Sequence, residues 1–320
     1  MSGVAAAGRA ITRMSDATPF ASPPRAAPQA YLLLTLAAFA WGANAVVGRI
    51  AIGEISPMAL TCLRWAIVLG ALLIIDPQLP VRDAAILKRH WAWGLAMGAF
   101  GFTAFSACLY VGAYYTSATN LAILQGAIPV FVLIGALLAH GVRPRPLQIV
   151  GVAVTLGGVL AVASQGDLRV LATLAFNIGD LMMLFGCACY AGYTLALRRR
   201  PEMPGATFFF LMALGGFVAS LPLLAAEVLL GVVQWPTRIG LAVLIFVGLF
   251  PSLIAQRAYM RGVELIGPGR AGLFVNLVPI FGSFLSVAVL GEVFGFYHAA
   301  ALTLVLAGIL LAERGVLRRA

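Results

Sequence analysis

A chain of 320 residues that is 62% hydrophobic and only 10% charged, with a mean hydropathy of +1.01, cannot face water on all sides; a soluble domain carries about 25% charged residues. That excludes a pair of ordinary soluble domains and leaves an all-α polytopic membrane protein, each span needing about 20 apolar residues. The net charge of +10 would suit nucleic acid, but the basic residues gather between apolar runs, as membrane topology requires.

Residues 1–29 are rich in Ala, Ser and Pro, carry Arg9, Arg13 and Arg25, and read as a disordered tail. Apolar runs follow at about 31–52, 57–75, 91–113, 118–140 and 147–163. After a polar linker at 164–176 they resume at about 177–197, 206–230, 239–260, 268–290 and 296–313, ahead of a basic tail at 315–320. Ala38-Phe39-Ala40 resembles a signal-peptidase site, but the apolar run continues through it, so the first span is read as retained. Cys62, Cys108, Cys187 and Cys189 all lie within the runs and read as small core residues. Cys187-x-Cys189 lacks the spacing of a zinc site, and no metal or cofactor is expected.

Ten spans put both termini on one side of the membrane. That side collects the three tail arginines with Arg82, Lys88, Arg89, Arg143, Arg145, Arg198, Arg199, Arg200, Arg261, Arg314, Arg318 and Arg319; the other has Arg49, Arg169 and Arg238. Both termini are therefore expected in the cytoplasm. A shift of 150 positions lays 118–162 on 268–312 without a gap, matching Pro129 to Pro279, Phe131 to Phe281, Gly141 to Gly291 and Gly158 to Gly308. Five helices per half give the second half the opposite orientation. The expectation is two inverted five-helix repeats, 30–163 and 177–314.

Ala40-Trp41-Gly42, Ser56-Pro57 leading to Arg64, Pro129 and Pro279, and Leu290-Gly291-Glu292-Val293 followed by Gly308-Ile309-Leu310 together resemble the EamA-type exporters of the drug/metabolite transporter superfamily. The resemblance covers about 30–315. It implies an exporter of small organic metabolites in a bacterial inner membrane, and the overall look is similar to amino-acid exporters, those for aromatic amino acids included. Position 142 is Val where the second half has Glu292, so a symmetric role for that acid is not implied.

Transport needs a polar path near the midplane. Thr103, Ser106, Tyr110 and Tyr114 share one helix face, as do Ser252, Gln256 and Tyr259, and as do Trp41 and Asn44; a 149-residue shift takes the last pair to Tyr190 and Tyr193. Two readings stand: a cavity walled by aromatic and amide groups, suited to an amphipathic substrate, or polar contacts that hold helices together. Gln125 and Asn276 join the binding candidates on the same terms. Pro129, Pro251 and Pro279 are candidate hinges or simple kinks.

Arg64 could attract a carboxylate, pair with Asp180 or snorkel; it is read, like Glu292, as a structural charge. Arg257 and Arg270 snorkel. Asp180, Glu227, Glu292, His90, His140 and His298 fall near predicted helix ends and read as solvated. The buried glutamate on which the related small multidrug-resistance proteins rely in their first helix is missing from Trp41–Ile50. A facilitated exporter therefore fits better than one driven by a buried acid; a proton-coupled exporter of cationic drugs is the alternative. An intramembrane enzyme would need clustered acids, histidines or a nucleophile–base pair at one depth, and the short connections leave no room for the output domain of a receptor. The partners expected are a small-molecule substrate and the lipid bilayer, with no nucleic acid; a monomer is compatible with the sequence.

Overall fold

The computed structural model describes residues 27–141, 145–167, 177–266, 271 and 274–317, and all regular structure among them is helical. Eight of these helices are long and apolar enough to cross a membrane. They are α1 (Ala27–Ile50), α2 (Pro57–Ile75), α3 (Ala84–Gly112), α4 (Ala118–Leu124 continuing through Gln125–Ala127 to Ile128–His140), α5 (Pro146–Ala163), α6 (Ile178–Ala196), α7 (Gly205–Leu229) and α8 (Arg238–Ile266). Two helices with shorter apolar stretches follow, α9 (Val278–Leu290) and α10 (Phe296–Leu317).

Local chemistry sets the boundaries. Pro57 and Pro146 open α2 and α5 in the first turn, where a missing N–H costs nothing. The Ser117 hydroxyl accepts from the Asn120 amide at 3.0 Å and starts α4. Gly141 and Gly291 end α4 and α9 with φ of +63° and +67°, a left-handed cap that favours glycine. α3 and α8 each contain a π-turn, Ala99–Ala104 and Gly248–Ile254, whose C-terminal ends are again 150 positions apart. Large apolar side chains such as Phe185, Phe284 and Leu138 stay exposed, as lipid-facing surfaces do.

The two halves interlock. α1 packs on α8 and α9, and α6 packs on α3 and α4; α2 meets α8 as α7 meets α3; α2 meets α7, α4 meets α9, and α5 meets α10. Every one of these contacts is matched by its counterpart with the halves exchanged.

Several boundaries differ from the sequence reading. α1 begins at Ala27, inside the stretch read as tail, because Pro28 is tolerated in a first turn. α3 begins at Ala84, taking in Lys88, Arg89 and His90, whose polar ends extend the helix beyond its apolar part. Pro129 and Pro279 were expected inside continuous helices. Pro129 does lie inside α4, just past a tightened turn at Gln125–Ala127, whereas Pro279 sits in the first turn of α9, just after a turn at 276–277. The rest of the tail, Val142, Arg143, Pro144, most of the 164–176 linker with Arg169, Pro268, Arg270 and the last three residues lie outside the described residues, as do the side chains of His140, Arg198 and Arg314.

Candidate functional site

The polar centre of the molecule is built around Arg64, one turn past the middle of the first half of α2 and only 5% exposed. Its Nε donates to Ser252 Oγ at 2.9 Å, and its Nη1 donates to Ser106 Oγ at 3.1 Å and to Tyr110 Oη at 2.6 Å. The Tyr110 hydroxyl in turn donates a hydrogen bond to Asn44 Oδ1 at 2.9 Å. One guanidinium thus ties α2 to α3 and α8, and through Tyr110 to α1. Ser252 stands within the π-turn of α8, where its Oγ donates to the Val247 carbonyl at 2.6 Å while accepting from Arg64; Pro251, four residues after Val247, has no N–H to offer that carbonyl.

Two features of Arg64 matter for chemistry. Among the described residues no carboxylate lies within ion-pairing distance of it, and its Nη2 makes no hydrogen bond. A guanidinium has five N–H donors in a planar fork, so a face of it remains for a further acceptor. Aromatic groups frame it. The guanidinium carbon stands 5.0 Å from the centre of the Trp65 ring and 5.7 Å from that of Tyr110. Trp65 stacks on Phe102 at 4.5 Å, Phe102 meets Tyr193 at 5.8 Å, Tyr193 meets Tyr190 at 5.4 Å, and Tyr190 meets Phe105 at 5.3 Å. On the α1 side the Trp41 indole donates to the Pro251 carbonyl at 3.0 Å and its ring lies 5.2 Å from Tyr259.

The candidates read from the sequence therefore divide. Asn44, Ser106 and Tyr110 join Arg64 in one network; Trp41 and Tyr259 form one pair of rings, Tyr190 and Tyr193 another. Gln125 is turned back on its own helix, donating to the Leu121 carbonyl at 3.2 Å. Gln256 lies partly buried on α8 but takes no part in the Arg64 network, where Ser252 serves instead. Asn276 occupies the turn before α9. The rings of Trp65, Phe102 and Phe105 are members of the wall that polarity alone does not reveal, since an aromatic in an apolar helix carries no mark of the side it faces. A separate cavity of about 420 Å³ opens between α3 and α6, lined by Met97, Phe100, Ala188, Cys189, Gly192 and Tyr193. Phe100 is exposed there, so this recess looks outward, with Tyr193 as the partition between it and the inner aromatic wall.

The acids are not the solvated groups expected. Glu227, at the end of α7, accepts from Ser56 Oγ at 2.5 Å and from the Met58 and Ala59 amides at 3.0 and 3.2 Å. Glu292, after α9, accepts from the Ala118 and Thr119 amides at 2.8 and 3.0 Å and from Thr119 Oγ1 at 2.8 Å. Each carboxylate satisfies the orphan donors at the start of a first-half helix, where the helix dipole also favours negative charge. Glu292→Gln is expected to lower stability by about 1–3 kcal/mol, the worth of charge-assisted bonds to backbone amides, read as a reduced midpoint in thermal unfolding of the detergent-solubilised protein; an unchanged midpoint would show that the cap contributes nothing.

Asp180 departs furthest from expectation. It is fully buried in the first turn of α6 and does not pair with Arg64. His298, also read as solvated, is buried: it accepts from the Gly295 amide at Nδ1 and reaches Asn120 Oδ1 at 3.2 Å through Nε2. Both sit where the ends of other helices cover them, which a linear reading of helix ends cannot register. On the opposite side, outside the spans, Asp83 accepts from Thr207 Oγ1 at 2.6 Å and lies beside Arg82, which together hold its carboxyl below the usual range.

Comparisons with known proteins agree with this architecture. The sequence model of the EamA-like transporter family matches residues 28–164 and again 177–313. The chain is similar to the uncharacterized transporter YyaM of Bacillus subtilis (strain 168), 27% identical over 297 residues covering 90% of this chain and 94% of that protein. It is similar also to the uncharacterized inner membrane transporter YedA of Escherichia coli (strain K12), 24% identical over 286 residues covering 86% and 87%. A solved crystal structure, described only as that of a protein, shares the fold with a TM-score of 0.62 at 18% identity, over 91% of this chain and 98% of its own. With the family matched over both halves, the chain belongs to the EamA-like transporter family of membrane transporters.

Proposed function

We propose that this protein exports small organic metabolites by alternating access, with amino acids, aromatic ones above all, as the cargo. The observation that carries the reading is Arg64: a buried guanidinium with no carboxylate partner and an unused Nη2 among the described residues, set among aromatic rings. A carboxylate on the cargo would complete the guanidinium fork, and an aromatic side chain would stack in the wall beside it. A cationic drug would meet a buried positive charge, which argues against the alternative substrate class. No acid borders Arg64 among the described residues, so the substrate site itself has the character of a facilitated pathway.

The reading takes α1 to α10 as ten spans in two inverted halves, with both termini in the cytoplasm of a bacterial inner membrane. The exchange-matched contacts between halves and the paired π-turns support the repeat, and the bias of basic residues supports the orientation. In this frame Pro251, within a π-turn, Pro129, just past a tightened turn, and Pro279, in the first turn of α9, are the hinges about which the halves rock.

The test is uptake by the purified protein in liposomes, using labelled phenylalanine, tryptophan and threonine beside a cationic dye. Saturable flux of the aromatic amino acids, competed by one another and not by the dye, is the expected result. Dye flux without amino-acid flux would overturn it.

A further inference from the structure

The Glu227 and Glu292 caps lie at one end of the molecule, and Asp180 is buried at that same end with an arrangement that a structural role leaves unexplained. Thr116 Oγ1 donates to Asp180 Oδ1 at 2.6 Å, and Asn120 Nδ2 approaches the same oxygen at 3.5 Å while also donating to Thr116 at 3.0 Å. Both donors converge on Oδ1. The second oxygen, Oδ2, is buried and has no hydrogen-bond partner among the described residues. An ionised carboxylate with one oxygen buried and empty is strongly disfavoured, whereas a carboxylic acid carrying its proton on Oδ2 leaves far less charge to satisfy.

Among the described residues, the groups around it do not supply a compensating cation. The end of α3 contributes Thr116, α4 contributes Asn120, and α10 contributes His298, linked to Asn120, and Tyr297, within electrostatic reach of both Asp180 and Glu292. Glu292 is committed to the start of α4. On α6 itself the next titratable group is the buried Cys187, two turns on. Arg49, at the same end, gives its guanidinium to the Ala113 carbonyl at 2.5 Å, and no Arg or Lys among the described residues pairs with Asp180. Two influences favour the anion: the Thr116 and Asn120 donors on Oδ1, and the place of Asp180 in the first turn of α6, near the positive end of its dipole. Burial opposes these two, which keeps both forms of the group within reach of a modest change in surroundings.

We infer that Asp180 is a proton-binding site that gates this end of the transporter, holding a proton on Oδ2 while the end is packed shut and releasing it when water enters. Release breaks the Oδ2–H bond, leaves the electron pair on the oxygen and passes the proton to the entering water; closure reverses the step. The inference rests on the alternating-access reading above but not on the identity of the cargo.

The experiment is infrared spectroscopy of the full-length protein in liposomes, wild type against Asp180→Asn, over a range of pH. The expected result is a carboxylic-acid carbonyl band at neutral pH, absent from D180N and lost as the pH rises. Thr116→Val, which keeps the acid but removes a donor to its anion, is expected to retain the band to higher pH, and this comparison serves where D180N does not fold. A carboxylate signal at neutral pH would overturn the inference, and so would a band that no accessible pH removes, since that marks a permanently neutral structural acid. Phenylalanine exchange in the same liposomes should rise with pH in the wild type and be flat in D180N; exchange equally insensitive to pH in both would also count against the gate. If none of the labelled probes crosses, the substrate reading falls while the infrared result still decides this one.

Discussion

Arg64→Lys is expected to leave a folded, membrane-inserted protein that has lost at least about tenfold of the amino-acid transport proposed for it. Lysine keeps the charge but replaces a planar fork by a compact ammonium with three donors, which cannot reach Ser252, Ser106 and Tyr110 and still offer a paired face to a carboxylate. A hydrogen bond to a charged group contributes about 1.5–3 kcal/mol, so losing one at the cargo corresponds to roughly 10- to 150-fold in affinity. The loss should appear first in the substrate concentration at half-maximal rate. Arg64→Ala should cost more and cost stability too, because it strands Ser106, Ser252 and Tyr110 in the interior. Tyr110→Phe provides the control: it removes two internal bonds, from Arg64 and to Asn44, without touching the free Nη2, and should reduce stability more than transport. Equal flux in wild type and R64K would remove Arg64 from the cargo site.

The second large effect is expected at the α5–α10 crossing. A Cβ on Gly158 would lie 2.7 Å from the Ala301 carbonyl oxygen and 3.0 Å from the Val305 amide, both backbone atoms that cannot move aside, whereas one on Gly157 meets nothing within 4 Å. Gly158→Leu should therefore abolish folded protein, since the two helices must separate to admit the side chain. Gly157→Leu, one residue away, should be recovered at wild-type levels. The pair is read by fluorescence-detected size exclusion after mild solubilisation. Similar recovery of both variants would mean that the crossing is looser than its geometry requires.

Much of this architecture is legible in the sequence because a membrane enforces it. Apolar runs of the right length must be helices there, so the helical character and approximate bounds of these segments follow from hydropathy, and Gly141 and Gly291 mark their own turns. The polar centre is half legible. Asn44, Ser106 and Tyr110 stand out because polar groups are scarce in such helices, yet their spacing does not disclose that Arg64 is what joins them. Ser252, rather than Gln256, reaches Arg64 because the π-turn changes the register of α8 just there, and no propensity announces a π-turn. Asp180 and His298 were misread for a different reason. Position along a helix tells how near an end lies, not whether another helix lies over it.

The paired π-turns also carry a record of descent. Each holds one residue more than an α-helical turn, in α3 and in α8, and the two stand at the same place in halves that the same family model matches separately. Two independent insertions would have had to strike equivalent turns. A single insertion in an ancestor of one half's length, copied when the gene doubled, accounts for both, and makes the irregularity older than the two-part transporter that now depends on it. A relative of single-repeat length whose third helix lacks the extra residue would reverse that order.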